Sequence, residues 1–242
     1  MAEFKRQSDR DKEGRPKFYE TYHDLLPGKP LPNKEGPRRR RKPSRVNKQE
    51  EFMLVNIAWN HSGWTRLELN PQVGFSYDRY AFPPHEALNF DFSKKGIDTD
   101  NEVFGYFQTS RIPRRFVDGG MIFFWSNNTD DKKGYFVGVY GNVAILDEVN
   151  RWKHSGFENG EFRANIKGDK RLSCLFPCPV DDSAYKTDGK RLIGQVNFTY
   201  NFDKGKALRL LDEAKNKSCG GNSNSGAIAT LTAIEEYVRN KL

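Results

Sequence analysis

Two runs of strand-forming residues on either side of a polar turn constrain this chain more than any other feature. Residues 121–125 read Met-Ile-Phe-Phe-Trp, and residues 135–146 read Tyr-Phe-Val-Gly-Val-Tyr-Gly-Asn-Val-Ala-Ile-Leu. Between them lies Ser-Asn-Asn-Thr-Asp-Asp-Lys-Lys-Gly, residues 126–134. β-Branched and aromatic residues fit a pleated surface, and Asn, Asp and Gly supply turn geometry, so the stretch predicts a β-hairpin. Both runs are nearly continuous in apolar residues rather than alternating. That pattern predicts strands inside a sheet with each face covered. Gly138 and Gly141 interrupt the second run and predict a bulge or a close approach to the backbone.

Further strands are expected on both sides of the hairpin. Residues 52–59 read as a strand ended by the turn Asn60-His-Ser-Gly63. Residues 64–69 alternate as a half-buried strand does, until Asn70-Pro71 breaks them. Residues 75–82 are extended, residues 85–92 are ambiguous, and residues 102–108 form another strand. Residues 150–168 look irregular and polar, and residues 171–176 and 192–200 resume strand character. After Asp203 the period changes. Ala207, Leu208, Leu210, Leu211 and Ala214 share a helical face, with Lys215 and Lys217 suited to the helix C-terminus. A Gly/Asn/Ser linker, residues 219–226, leads to a last helix, residues 227–241, striped by Ile228, Leu231, Ile234 and Tyr237. Strands followed by helices predict an α+β domain with six to eight short strands in a curled sheet or barrel. The expected division is an arm, residues 1–50, a body, residues 51–203, and C-terminal helices, residues 204–242. The helices cap the barrel or link it to an effector protein or fused domain.

Charge is distributed unevenly. The chain carries a formal +8, yet residues 1–50 hold fifteen Lys/Arg against eight Asp/Glu. The basic character therefore belongs to the arm, and the body has no overall positive field. Its sharpest cluster is Arg38-Arg39-Arg40-Arg41-Lys-Pro-Ser-Arg45. Such a run is either a solvated linker or a phosphate-tracking arm that gains affinity by releasing counterions. Three Cys in 242 residues make no disulfide framework, and Cys174 and Cys178 are expected as two structural thiols in a reducing setting. No apolar run reaches the length of a membrane span, and residues 1–6 lack the apolar core of a signal peptide. The expectation is a cytoplasmic protein without a membrane partner.

Enzyme signatures are hard to find. There is no Walker A loop and no Gly-x-Gly-x-x-Gly, and His85-Glu86 lacks the second His of a zinc-protease helix. Cys174-x-x-x-Cys178 has no second pair for a metal. Asp203 with Glu213-Ala-Lys215 has the letter order of a magnesium-dependent nuclease, but its helical pattern reads as a solvated face. The expectation is a non-enzymatic protein with no cofactor and no metal. The rivals are that nuclease of modified DNA and a protein-interaction module with exposed aromatics.

What remains is an aromatic-rich body. Phe123, Phe124 and Phe136 read as core. Trp59 and Trp64 bracket a turn, Trp125 closes a strand, and Trp152 lies beyond the hairpin. Trp keeps a polar handle and is seldom fully buried, so this set, with Tyr106 on the preceding strand, is the candidate for stacking a ligand. A base suits such walls, since stacking contributes roughly 1–3 kcal/mol per base.

The hairpin, Met121-Ile-Phe-Phe-Trp-Ser-Asn-Asn through Gly134-Tyr-Phe-Val-Gly-Val-Tyr-Gly-Asn-Val, resembles the central strands of PUA-like domains of the YTH and EVE branches. Phe104-Gly-Tyr-Phe-Gln108 and Arg114-Arg-Phe-Val-Asp-Gly-Gly120 resemble the strand and turn before it. The resemblance implies a PUA-like pseudo-barrel with flanking helices that reads a modified or flipped base in an aromatic cage. YTH modules do so for N6-methyladenine in RNA, and related modules of McrB-type restriction systems read modified DNA. It implies that Trp59 and Trp64 match the first wall of such a cage, and Trp125, Trp152 and Tyr106 complete the candidate set by their positions. Arg111, Arg114 and Arg115 would then grip the phosphate backbone beside it, with Arg38, Arg39, Arg40 and Arg41 on the arm. DNA is slightly favoured over RNA on the resemblance alone.

Overall fold

Six strands and two helices build the fold: β1 Glu50–Asn56, β2 Glu102–Gly105, β3 Phe116–Asn127, β4 Gly134–Lys153, β5 Glu161–Asp181, β6 Phe198–Thr199, α1 Lys204–Asn216 and α2 Ser225–Lys241. The computed structural model describes residues 49–67, 85–92, 101–109, 112–153, 160–186, 192–193, 197–217 and 225–242, with 147–152 as backbone only. All fall within one unit, Val46–Leu242. The expected strand at residues 75–82 and the basic cluster at Arg38–41 lie outside the described residues.

The hairpin is β3 and β4, longer at both ends than its apolar runs. Its turn is built by side chains that substitute for backbone partners. Asn128 Oδ1 accepts the Asp130 amide at 2.8 Å and Asp131 Oδ1 accepts the Lys133 amide at 2.9 Å. Gly138 and Gly141 meet both expectations. The β4–β5 register shifts beside each. A Cβ at Gly138 would lie 2.3 Å from Phe90 Cζ and 2.7 Å from the Cys174 carbonyl.

The sheet order is β2-β5-β4-β3-β1-β6. β1 runs parallel to β3 and every other neighbouring pair is antiparallel, so the sheet is mixed. Strand alternation sends side chains to two cores. Phe52, Leu54, Met121, Phe123 and Trp125 enter one, where Leu210, Leu211, Leu231 and Ile234 of the helices meet them. Met53, Val55, Ile122 and Phe124 enter the other, under Trp64, Phe90 and Phe107 from the long β1-to-β3 crossover. Each large apolar side chain so buried contributes roughly 1.5–3 kcal/mol. No helix among the described residues is long and apolar enough to cross a membrane.

The α+β class holds, but the curled sheet or barrel does not. The sheet is open: its edges, β2 and β6, are four and two residues long and do not pair with each other. Nor are the central strands short, since β3, β4 and β5 span 12, 20 and 21 residues. A barrel hides one face by closing on it. Here helices cover one face and the crossover covers the other, so closure is unnecessary.

Three local expectations also change. Residues 64–67 form no strand, because His61–Trp64 is a turn held by the Asn60 side chain. The stretch expected to be irregular from residue 150 is instead the end of β4 and the start of β5. Phe162, Ala164 and Ile166 point inward there, between half-exposed Glu161, Arg163, Asn165 and Lys167. Of the two thiols, Cys174 is free and buried, its pKa pushed up to about 12 by burial, whereas Cys178 is disulfide-bonded.

Candidate functional site

Beyond β1 the chain turns sharply on one side chain. Asn60 Oδ1 accepts the Ser62 amide at 2.8 Å and the Trp64 amide at 3.3 Å. Gly63 and Trp64 both take left-handed backbone, with φ of 72° and 57°. A left-handed Trp costs energy, and the turn offsets this by burying it. Trp64 is 2% exposed, and its Nε1 donates to the Ala58 carbonyl at 2.8 Å. Trp64 is therefore a wall.

Trp59 leans on that wall. Its ring meets Trp64 edge-on at 5.5 Å and 86°, Tyr135 at 5.8 Å and His61 at 6.2 Å. Trp59 is half-buried, yet its Nε1 is buried with no hydrogen-bond partner among the described residues. An unmet buried donor costs about 1–3 kcal/mol. The walls themselves are fixed. Tyr135 Oη donates to Asp131 Oδ2 at 2.6 Å, a bond that pushes the phenol up to about 12 and holds the Asp131 carboxyl below its usual range. His61 Nε2 lies 3.1 Å from Asp130 Oδ2. An aromatic corner with a half-buried indole can stack a flat ligand.

Trp125 and Tyr106 do not join it. Trp125 belongs to the opposite core, facing the helices, with the sheet between it and Trp59. Its Nε1 donates at 2.9 Å to Asp182 Oδ2, a carboxylate 1% exposed that also pairs with Lys186 at 2.6 Å. The cause is strand alternation: Trp125 shares a face with Met121 and Phe123, not with Ile122 and Phe124. Trp152 lies opposite Phe162 in the β4–β5 register, and its side chain lies outside the described residues.

Tyr106 belongs to a second cluster. After β2 the backbone of Tyr106, Phe107 and Gln108 is held by side chains instead of a strand. Asn89 accepts the Tyr106 amide and donates to its carbonyl, both at 2.9 Å. Asn165 bonds Phe107 in the same way, at 3.1 and 2.8 Å. Glu86 Oε1 accepts the Gln108 amide at 3.1 Å. The His85 ring packs 5.2 Å from Tyr106, and its Nδ1 accepts the Arg163 amide at 3.2 Å. Burial, then the nearby Arg163 charge, lowers His85 to about 4. Glu86 is pushed up to about 7 by burial, against the pull of its own amide and that of Gln108. Neither group stood out in the sequence except as a failed zinc motif. Burial of a Glu within the single four-residue 3-10 turn His85–Leu88 leaves no periodic signal.

Of the expected phosphate-binding arginines, Arg114 and Arg115 are among the described residues. Arg115 is committed: it pairs with Glu50 and stacks 4.9 Å over the Tyr200 ring. Arg114 is exposed, and Arg111 lies outside the described residues. The nuclease-like trio has separate structural uses. Asp203 caps α1 by accepting the Lys206 amide at 2.9 Å, Glu213 pairs with Arg209 at 2.9 Å, and Lys215 pairs with Glu235. Among the described residues no three His, Cys, Asp or Glu side chains gather to hold a metal ion. Compared with family models, with curated proteins and with solved structures, the chain finds no match.

Proposed function

We propose that this protein is a non-enzymatic nucleic-acid reader that stacks an unstacked, modified base on Trp59. The observation that carries the reading is Trp59 itself: a half-buried indole held by Trp64 and Tyr135, with an N–H that no described residue satisfies. A flat ring stacked there gains about 1–3 kcal/mol. That gain matches the few kcal/mol needed to bring a base out of a duplex. N6-methyladenine is the modification we propose, because its methyl removes one donor hydrogen and adds apolar surface. An aromatic corner favours both changes. The basic arm, with its Arg38–41 run, supplies attraction that does not depend on sequence. DNA is favoured over RNA on the resemblance of the hairpin to base-reading domains.

Fluorescence anisotropy with plain and N6-methyladenine-bearing DNA and RNA strands tests the reading. Methylation should tighten binding by the intact chain. Trp59→Ala should abolish that preference and weaken binding of the methylated strand by roughly 5- to 150-fold, the equivalent of one lost stack. Equal binding of plain and methylated strands, unchanged by Trp59→Ala, would sink it.

A further inference from the structure

Resting on the base reading above, we infer that the Trp59 corner selects methylated bases that carry a positive charge, and holds them more tightly than neutral N6-methyladenine. Two turns meet at this corner, and each ties a carboxylate to a ring that packs on Trp59. Tyr135, 5.8 Å from Trp59, donates its hydroxyl hydrogen to Asp131 Oδ2 at 2.6 Å. His61, 6.2 Å from Trp59 on the other turn, has its Nε2 3.1 Å from Asp130 Oδ2. The Tyr135 bond, and then the Lys133 amide, hold the Asp131 carboxyl below its usual range, so it is ionised at neutral pH.

Such a corner suits a cation. The faces of Trp and Tyr carry negative potential, and Trp is the strongest of the natural rings in this contact. A phenol that donates to a carboxylate is polarised by the bond, which strengthens the pull of the Tyr135 ring. The protein does not spend that pull on a cation of its own. Among the described residues Arg115 lies over Tyr200 and Arg209 over Tyr185, and no Lys or Arg lies over Trp59 or Tyr135. On the hairpin turn, Lys132 Nζ donates to the Thr129 carbonyl and Lys133 is exposed. The two carboxylates repel a phosphate, so the corner receives the base and not the strand's backbone. Methylation of adenine at N1 gives an isomer of N6-methyladenine that holds an extra proton, and so a positive charge, near neutral pH. Stacked on Trp59, that ring presents its charge to the indole face. A methyl on N1 also blocks Watson–Crick pairing, which lowers the cost of bringing the base out of a duplex.

The test is fluorescence anisotropy of the full chain near neutral pH, on single strands of one sequence. One position holds adenine, N6-methyladenine, N1-methyladenine or N1-methylinosine, the last with its methyl on the same ring nitrogen but no charge. N1-methyladenine should bind roughly 2- to 30-fold more tightly than either neutral methylated base. Asp131→Asn should cut that margin by roughly 2- to 5-fold and keep the preference for N6-methyladenine over adenine. Trp59→Ala should lose both. If Asp131→Asn fails to fold, N1-methyladenine against N1-methylinosine still reads the charge on the intact chain. Equal binding of those two, with N6-methyladenine still favoured over adenine, overturns the charge selection and leaves the Trp59 reading standing. A margin unchanged by Trp59→Ala overturns it as well, because the charge is then read elsewhere. An intact chain that binds a trimethyllysine peptide through Trp59, and no strand at all, overturns both.

Discussion

Glu86 shows how one residue's surroundings set its chemistry. It is 4% exposed, has no cation partner among the described residues, and holds the Gln108 amide while its pKa is pushed up to about 7 from 4.5 by burial. The folded group therefore keeps a proton that the unfolded chain has already lost between those values. Its contribution to stability is fully present below pH 4.5 and is lost as pH rises through about 7, an effect on the order of 3 kcal/mol. Glu86→Gln keeps an acceptor for Gln108 and removes the titration. Urea unfolding across pH 5 to 8 should show the intact chain losing stability with rising pH and Glu86→Gln losing much less. Parallel profiles would refute a raised pKa. His85 acts in the opposite direction, since its folded value is lowered: it favours the fold above pH 6.5 and stops doing so as pH falls through about 4. Trp59 is the other residue whose behaviour its neighbours decide. The sequence marks it as an aromatic beside a turn, but only Asn60's bonds to Ser62 and Trp64 bring a second indole against it.

At the scale of elements, the hairpin was legible and its packing was not. The sequence predicts a bulge or a close approach at Gly138, and the neighbours that make it so come from distant segments: Phe90 from the crossover and Cys174 from β5. Gly138→Ala must push against the Cys174 carbonyl, which belongs to a strand and cannot swing away. Overpacking of this kind costs about 1–3 kcal/mol. Thermal unfolding should fall by several degrees, and an unchanged midpoint would mean that the two strands separate more easily than their register implies. The start of β5 teaches the reverse lesson. Phe162, Ala164 and Ile166 alternate with Glu161, Arg163, Asn165 and Lys167, a period of two that the polar composition of the region concealed. The helices were placed correctly because a 3.6-residue stripe needs no knowledge of the partner, although Val238 rather than Ile228 completes the buried face of α2.

For the whole molecule, the uneven charge separates two contributions to binding. Residues 1–50 carry most of the net positive charge, and residues 51–242 are nearly neutral. On the reading proposed above, removal of residues 1–45 should lower affinity at low salt and flatten the salt slope. The methyl preference that belongs to Trp59 should survive it. If the preference disappears with the arm, selectivity does not reside in the folded unit. The open sheet bears on this division too. A closed barrel would have offered one interior, whereas a sheet covered on both faces leaves ligands to its ends and to half-exposed patches such as those around Trp59 and Tyr106.

The sequence by itself determined the α+β class, the central hairpin, the two C-terminal helices and the uneven distribution of charge. Each rests on local information: strand-forming runs, turn residues, helical periodicity and charge. Tertiary structure decided which aromatics share a surface. Trp125 and Trp59 belong to one candidate set in the sequence, yet strand alternation and the parallel pairing of β1 with β3 put them on opposite faces. It also decided that the sheet stays open, because covering both faces depends on where a long crossover and two helices come to rest. Those are contacts between residues far apart in the chain, and no local pattern records them.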